Sequence, residues 1–173
     1  MKINIEGVKI FRSNIYKDRR GYFKEIYNKK NIKKNFIFHC QSYSKKNVLR
    51  GLHIQTKNSQ GKFLTIIKGE IFDVIVDLRK NSKTFGEYFG VYLSNKSYCS
   101  IYIPEGCAHG FCALKKENII YYCCTKYRNI ISEKTIKWND KKLNIKWPIK
   151  KPILSKKDTQ GMTFEEFFKK DIN

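Results

Sequence analysis

At 173 residues the chain is long enough to bury a sizeable core in one domain, and we expect residues 1–173 to form a single domain. The hydrophobic content of 41%, with 11 Tyr and 12 Phe, excludes a disordered chain and is typical of a β-rich globular protein. The net charge of +21 is compatible with nucleic-acid binding. However, the lysines are spread along the whole chain and no nucleic-acid-binding motif is present, so we expect attraction of a small polyanionic ligand and no nucleic-acid partner.

The cysteines and the N-terminus bear on the cellular compartment. The six cysteines show no disulfide-framework spacing, and Cys123 and Cys124 are adjacent. The first residues contain no signal-peptide hydrophobic core, and no apolar run approaches the length of a membrane span. We therefore expect free thiols, a cytoplasmic location and no membrane association.

The N-terminal part of the chain contains short apolar groups that predict strands. Two pairs have the spacing of two that a strand requires, Ile3/Ile5 and Val8/Ile10. The polar turn at residues 17–21 separates later apolar groups and predicts strand, turn, strand. Residues 28–35 are too polar for a core and predict a surface loop or short helix. Phe36 then begins a further strand.

The clearest β signal lies in the centre. Residues 62–67 and 71–79 are rich in β-branched and aromatic residues and are joined by a Lys-Gly turn. Alternation places Asp73 on the same face as Ile71 and Ile75, opposite the face of Phe72, Val74, Val76 and Leu78. An aspartate among apolar neighbours is unfavourable without a partner, so Asp73 marks a ligand cavity or a buried salt bridge.

The remaining apolar runs complete the predicted fold. Short strands are predicted over four ranges: 88–93, 100–103, 110–114 and 119–125. Pro104-Glu105-Gly106 supplies a turn, and residues 160–170 predict a short C-terminal helix. Many short strands with little helix favour an all-β sandwich or barrel.

Residues 48–55, Val-Leu-Arg-Gly-Leu-His-Ile-Gln, contain a cation, a glycine and an imidazole within four positions. We predict a tight bend at Gly51 that turns Arg50 and His53 towards a cavity. The alternative is a core histidine held by hydrogen bonds. A second stretch, Cys107-Ala-His109-Gly-Phe-Cys112, resembles a metal-ligand cluster, but a closed zinc site needs four ligands, so we expect no metal.

Several polar residues interrupt otherwise apolar strands or follow them closely: His53, Lys62, Asp73, His109, Tyr122 and, after a Trp-Pro segment, Asp158. Each alone has an ordinary structural explanation. Lys62 is compatible with a surface position, Tyr122 with a core aromatic and Asp158 with a loop residue or helix cap.

Together, eight segments resemble the dTDP-4-dehydrorhamnose 3,5-epimerase family, in order and over about residues 8–167. The segments are 18–25, DRRGYFKE; 48–55, VLRGLHIQ; 60–63, QGKF; 69–79, GEIFDVIVDLR; 103–111, IPEGCAHGF; 138–140, WND; 147–148, WP; and 154–158, LSKKD. The resemblance implies a cupin-like double-stranded β-helix (jelly roll) with a short C-terminal helix. It also implies a homodimer formed through exchanged N-terminal strands, and an isomerase that needs no metal and no cofactor.

The resemblance also implies roles for four catalytic residues. His53 matches the catalytic base, and Asp158 matches the carboxylate that orients the imidazole. Tyr122 matches the opposing acid, and Lys62 matches the group that stabilises the enolate oxygen. This set agrees with the chemistry, because inverting a carbon beside a ketone needs a base on one face, an acid on the other and a cation near the developing oxyanion. No Gly-rich dinucleotide loop is present.

For the rest of the substrate, Asp73 and His109 match supporting positions in the pocket. The family's nucleotide-binding positions match Arg20, Phe23 and Glu25 in the base-binding arm, Arg50 at the diphosphate, and Tyr127 and Arg128 at the stacking position. The sequence also departs from the family pattern. Cys40 stands where an asparagine is usual, Arg128 replaces the stacking aromatic, and Ile54 replaces the tyrosine after the key histidine.

The function implied is conversion of dTDP-4-keto-6-deoxy-D-glucose to dTDP-4-keto-L-rhamnose by inversion at C3 and C5. Three alternatives remain open: a mono-epimerase of another nucleotide-linked 4-keto sugar, a non-catalytic cupin that binds a ligand, and a cupin metalloenzyme.

Overall fold

The computed structural model describes residues 3–169, which form two five-stranded antiparallel sheets and a separate two-stranded hairpin. The strands are β1 (Lys9–Arg12), β2 (Ile15–Asp18), β3 (Gly21–Lys24), β4 (Phe38–Lys45), β5 (Leu49–Gln55), β6 (Lys62–Lys68), β7 (Glu70–Asp77), β8 (Tyr88–Ser94), β9 (Cys99–Ile103), β10 (Cys107–Ala113), β11 (Glu117–Cys124) and β12 (Glu133–Thr135). Two short helices follow, α1 (Lys156–Thr159) and α2 (Phe164–Lys169). Neither helix is long enough to cross a bilayer, and no other helix of residues 3–169 is.

The strands wind between the two sheets. The first sheet has the order β1-β9-β6-β11-β4 and the second sheet the order β12-β5-β10-β7-β8. From β4 to β7, and again from β8 to β12, each strand lies in the opposite sheet from the one before it. This winding is that of a jelly roll, so the predicted all-β, cupin-like fold is confirmed.

The core lies between the sheets and uses the alternation predicted for β7. Ile71 and Ile75 are fully buried in the cluster between the two sheets. Phe72 and Val74 face the other way, into a second cluster where the C-terminal segment, including Phe164, covers the outer face of the second sheet. Because both faces are covered, β7 is buried along nearly its whole length.

The N-terminal region differs from the prediction in two places. Ile3 and Ile5 do not form a strand, because β1 begins at Lys9; Ile5 is nevertheless buried in the core. Residues 28–35 form a loop, but Ile32 is buried against the outer face of the first sheet rather than exposed. Ile32 is thus the apolar anchor of an otherwise polar loop, which also bonds Tyr27 through the Lys34 carbonyl.

The hairpin of β2 and β3 is confirmed at the predicted place, with its turn between Asp18 and Gly21. It pairs with no other strand among the described residues. Tyr16, Tyr22 and Phe23 are about 60% exposed on it (61%, 58% and 66%). The hairpin thus presents aromatic surface to solvent in the isolated chain.

At the C-terminus the predicted helix is present as α2, but it begins at Phe164 rather than at residue 160. Its predicted last residue, 170, lies outside the described residues. Two short elements were not predicted, β12 and α1. Both are too short to show a periodicity in sequence: β12 has three residues and α1 has four.

Candidate active site

A cavity of about 390 Å³ opens between the two sheets. Its lining combines side chains of the first sheet, the second sheet and two connecting loops. They are Phe38, Cys40, Gln41, Ser42, Lys62, Tyr122 and Cys124 from the first sheet; Arg50, His53, His109, Phe111 and Glu133 from the second sheet; and Gln60 and Arg128 from loops. The cavity size is suited to a small ligand, and its wall is unusually rich in titratable groups.

An irregularity in β5 turns both Arg50 and His53 into this cavity. In a regular strand, side chains three positions apart point to opposite faces. Against β10, however, His53 pairs with His109 and Arg50 pairs with Phe111, so three steps on β5 match two on β10. This β-bulge reverses the alternation. The predicted bend is therefore a bulge inside a continuous strand, and the prediction that Arg50 and His53 face a cavity is confirmed.

Gly51 permits the bulge. Its φ is +113°, and a Cβ atom built there would lie 2.6 Å from Gly110 Cα and 2.6 Å from the His109 carbonyl oxygen. Only glycine accommodates both the backbone conformation and this close approach of β10.

His53 is paired with Asp158, which lies 105 positions later in the sequence. The Nε2 atom of His53 lies 2.6 Å from Oδ1 of Asp158, and the imidazole is 30% exposed while the carboxylate is 3% exposed. With the Nε2 proton donated to the carboxylate, the basic lone pair of the neutral ring lies on Nδ1. The pair therefore has the arrangement of a general base with its orienting acid.

Asp158 is itself held on both oxygens. Oδ1 also accepts a hydrogen bond from the Gly51 backbone N–H at 3.2 Å, and Oδ2 accepts one from Ser155 Oγ at 2.6 Å. Burial alone would raise the pKa of Asp158, but the hydrogen bonds from His53, Ser155 and Gly51 outweigh it and the pKa lies below its ordinary value. The carboxylate is thus ionised when it faces the imidazole.

A second histidine–carboxylate pair lies deeper. Nε2 of His109 is 2.7 Å from Oδ1 of Asp73, and both side chains are buried. The other oxygen of Asp73 has no hydrogen-bond partner among the described residues. Of the two possibilities that the sequence left for Asp73, the structure shows a buried pair, and its partner is a histidine that lines the cavity.

Tyr122 and Lys62 come from the first sheet, on the wall opposite His53. The Tyr122 hydroxyl lies 3.3 Å from Ser42 Oγ. Burial raises the pKa of Tyr122, and the bond to Ser42 offsets this only in part, so the phenol keeps its proton at neutral pH. Lys62 is half-buried, and its ammonium group makes no hydrogen bond or ion pair with residues 3–169; burial lowers its pKa.

Two arginines, Arg50 and Arg128, line the cavity. Arg50 donates to Ser44 Oγ at 3.0 Å and to the Tyr43 carbonyl at 2.9 Å. Arg128 makes a two-pronged contact with Glu133, at 2.8 and 3.1 Å, and Glu133 also accepts a bond from Lys157 at 2.6 Å. Each guanidinium is fixed by part of its donor set, which leaves other N–H groups for an anion.

Four of the predicted binding residues lie away from this cavity. Arg20 and Phe23 are on the exposed hairpin, where Arg20 pairs with Asp18. Glu25 follows β3 and accepts a bond from Asn14 at 3.1 Å. Tyr127 is 67% exposed beside Phe38. The structure thus brings His53, Lys62, Tyr122, Asp158, Arg50, Asp73, His109 and Arg128 together, and leaves Arg20, Phe23, Glu25 and Tyr127 outside.

Several cavity residues carried no assigned role in the sequence prediction: Phe38, Gln41, Ser42, Gln60, Phe111, Cys124 and Glu133. Alternation along β4 and β11 could have found Ser42 and Cys124, because they share the face of Tyr122. Glu133 gave no signal, since a lone acidic residue in a polar segment is ordinary surface.

Cys107, His109 and Cys112 do not converge. His109 and Cys107 point to one face of β10, and Cys112 to the other. Within residues 3–169, no three His, Cys, Asp or Glu side chains are grouped so that they could hold a metal ion.

Known proteins share both the sequence and the fold. A family model described as dTDP-4-dehydrorhamnose 3,5-epimerase matches residues 2–166. The dTDP-4-dehydrorhamnose 3,5-epimerase of Shigella flexneri is 42% identical over 171 residues, covering 95% of this chain and 94% of that protein.

Two crystal structures are similar throughout. A dTDP-6-deoxy-D-glucose-3,5-epimerase from Legionella pneumophila, in complex with dTDP-4-keto-L-rhamnose, has a TM-score of 0.91 and 38% identity, covering 95% of this chain and 92% of that one. The dTDP-4-dehydrorhamnose 3,5-epimerase of Bacillus anthracis, with TDP and PPi bound, has a TM-score of 0.91 and 37% identity, covering 95% and 98%. The chain therefore belongs to the dTDP-4-dehydrorhamnose 3,5-epimerase family.

Proposed function

We propose that this protein is a dTDP-4-dehydrorhamnose 3,5-epimerase that converts dTDP-4-keto-6-deoxy-D-glucose to dTDP-4-keto-L-rhamnose. One observation carries the proposal: a carboxylate-held imidazole on one sheet and a protonated phenol on the other line the same cavity, with a lysine beside the phenol. Two-sided proton transfer at a carbon next to a ketone needs this arrangement.

The reaction begins at His53. Nδ1 removes the proton from a carbon adjacent to the C4 ketone, and Asp158 stabilises the imidazolium that forms. The electron pair of the broken C–H bond moves to the ketone oxygen and gives an enolate. The ammonium group of Lys62 stabilises that oxyanion, since it has no competing partner among the described residues.

Inversion is completed from the opposite wall. The Tyr122 hydroxyl donates its proton to the other face of the carbon. The phenolate is then reprotonated from solvent, and the His53 imidazolium releases its proton to solvent. C3 and C5 are both adjacent to the C4 ketone, so the same three groups serve both carbons. His109, backed by Asp73, hydrogen-bonds to the sugar deeper in the cavity.

The nucleotide lies against the two arginines that line the cavity. Arg50 contacts the diphosphate and Arg128 presents its guanidinium to the base. The protein is a homodimer in which the exposed hairpin carrying Arg20 and Phe23 extends to the cavity of its partner. The aromatic surface of the hairpin and its lack of a strand partner in residues 3–169 support this assignment.

The test is turnover of dTDP-4-keto-6-deoxy-D-glucose in D₂O, followed by NMR. We expect deuterium at two ring carbons and the L-rhamno product. Deuterium at one carbon would make the protein a mono-epimerase, and none would leave a ligand-binding role.

His53→Asn should abolish the exchange. The matched control is His39→Asn, since His39 contacts Tyr121 and does not line the cavity. Equal loss in both variants would contradict the role of His53.

A further inference from the structure

Two thiols line the active-site cavity from neighbouring strands. Cys40 on β4 is paired with Tyr122 on β11, and Cys124 is paired with Phe38. Since side chains two apart share a face, Cys40, Cys124 and Tyr122 all point into the cavity, and all three line it. The two cysteines are diagonal neighbours on adjacent strands.

The surroundings of Cys40 favour its thiolate. The adjacent Cys124 thiol lowers the pKa of Cys40 to about 7, burial opposes the shift, and the cations Lys62 and Arg128 add to it. The proximity of Cys40, together with burial, raises the pKa of Cys124. Cys40 is therefore the more acidic thiol of the two.

The other cysteines differ from Cys40. Burial raises the pKa of Cys107 to about 12 and those of Cys112 and Cys123 to about 11, and all three are buried. Cys99 is half-buried and lies outside the cavity. Among the free cysteines, Cys40 alone is exposed.

We propose that Cys40 is a thiol-modification site inside the catalytic cavity, at which a small-molecule disulfide switches the enzyme off reversibly. The Cys40 thiolate attacks one sulfur of the disulfide, a new S–S bond forms, the old S–S bond breaks, and the other half leaves as a thiolate that takes up a proton. The group attached to Cys40 then occupies the space beside Tyr122 and Lys62 that the sugar nucleotide needs. The inhibition, though not the modification, rests on the proposed epimerase function.

The expected selectivity is modest and measurable. At pH 7 a thiol with a pKa of about 7 is about half ionised, against about 3% for an ordinary cysteine. A more acidic thiolate is a weaker nucleophile, which reduces this gain in the ionised fraction about fivefold. Cys40 should therefore react about threefold faster than an unperturbed cysteine, and its rate should reach a plateau at a lower pH.

The experiment treats the full chain with 2-hydroxyethyl disulfide and follows intact mass, modified peptides and turnover. We expect a first adduct on Cys40, turnover lost in proportion to that adduct, protection by dTDP, and recovery with dithiothreitol. Cys40→Ser should not form the first adduct, and its turnover should be the same with and without treatment. Cys124→Ala should shift the pH profile of labelling upward, because Cys40 loses the neighbouring thiol that lowers its pKa.

The matched control is Cys99→Ser, which should be labelled and inactivated like the wild type. The proposal is overturned by a first adduct on any other cysteine, by an adduct on Cys40 without loss of turnover, or by an unchanged pH profile in Cys124→Ala. If untreated enzyme shows no turnover, the epimerase assignment fails, while the mass measurement and dTDP protection still decide whether Cys40 is the site.

Discussion

Oδ1 of Asp158 accepts hydrogen bonds from both the imidazole of His53 and the backbone N–H of Gly51, which joins the proposed base to the bulge that aims it. The helix carrying Asp158 is capped by Ser155, whose side chain also bonds the carboxylate. One carboxylate therefore fixes the ring orientation, its tautomer and the local backbone together.

Asp158→Asn should lower kcat by about 10²–10⁴-fold with little change in KM, because a neutral amide does not stabilise the imidazolium. Steady-state kinetics with the keto sugar nucleotide measures this. Asp140→Asn is the matched control, since Asp140 is also buried but bonds only backbone N–H groups of the C-terminal segment. A kcat for Asp158→Asn within threefold of the control would refute the orienting role.

Tyr122→Phe should separate proton removal from inversion. His53 can still remove a proton and return one to the same face, so deuterium should enter the substrate from D₂O while the L-rhamno product disappears. NMR measures both quantities in one sample. Tyr121→Phe, altered one position away on the other face of β11, should behave like the wild type. Normal inversion in Tyr122→Phe would require a different acid.

Lys62→Met should lower kcat by about 10²–10³-fold, because the enolate oxygen loses its cation. The same variant should unfold at a higher temperature at pH 7. Burial lowers the pKa of Lys62 in the folded state, so the charged form opposes folding at any pH below its ordinary value of 10.5.

The stability gain of Lys62→Met should shrink as the pH rises through the lowered pKa towards 10.5. Lys68→Met provides the control, since Lys68 is on the same strand, exposed and paired with Glu117. It should keep normal turnover and should show no gain in stability at pH 7. If Lys62→Met were less stable than the wild type at pH 7, the charged ammonium of Lys62 would not be opposing folding.

The sequence predicts most strands because their residues carry a local period. In β7, alternation alone separates Ile71 and Ile75 from Phe72 and Val74, and each set packs where the pattern places it. The hairpin is predicted for the same reason, by a polar turn between apolar groups. These features depend only on neighbours within a few positions.

Other features depend on distant partners and could not be read locally. The bulge at Gly51 exists because β10 approaches within contact distance, and Glu133 gains its role from Arg128 and Lys157. Pairings such as His53 with Asp158 entered the prediction only through the family resemblance, because no periodic pattern connects residues 105 positions apart. The exposed Arg20 likewise shows no function within one chain.

Gly51→Ala should destabilise the protein by about 4 kcal/mol or more, since the added methyl group meets two backbone atoms of β10 and the backbone there has positive φ. Urea unfolding followed by tryptophan fluorescence measures the change. Gly21→Ala is the control for φ alone: Gly21 has a φ of +138°, but an added Cβ meets nothing within 4 Å. We expect about 1 kcal/mol there. Similar losses in the two variants would mean that β10 yields to the methyl group.

Glu133→Gln should remove part of the acid sensitivity of folding. Burial would raise the pKa of Glu133, but the bonds from Arg128 and Lys157 outweigh it and lower the pKa from 4.5 to about 2. A carboxyl whose pKa is depressed by folding adds stability that is complete above its unfolded value and disappears as the pH falls towards its folded value. The wild type should therefore lose this contribution between about pH 4.5 and pH 2.

The full shift corresponds to about 3 kcal/mol, but both cationic partners are partly exposed, and solvent screening reduces the expected value to about 1–2 kcal/mol. Chemical denaturation at pH 7, 4 and 3 should show the wild type and Glu133→Gln converging as the pH falls. Glu70→Gln breaks a partly exposed pair with Lys115 and should differ from the wild type by less than about 0.5 kcal/mol throughout. A constant gap between wild type and Glu133→Gln across this range would mean that the carboxylate acts by packing rather than by charge.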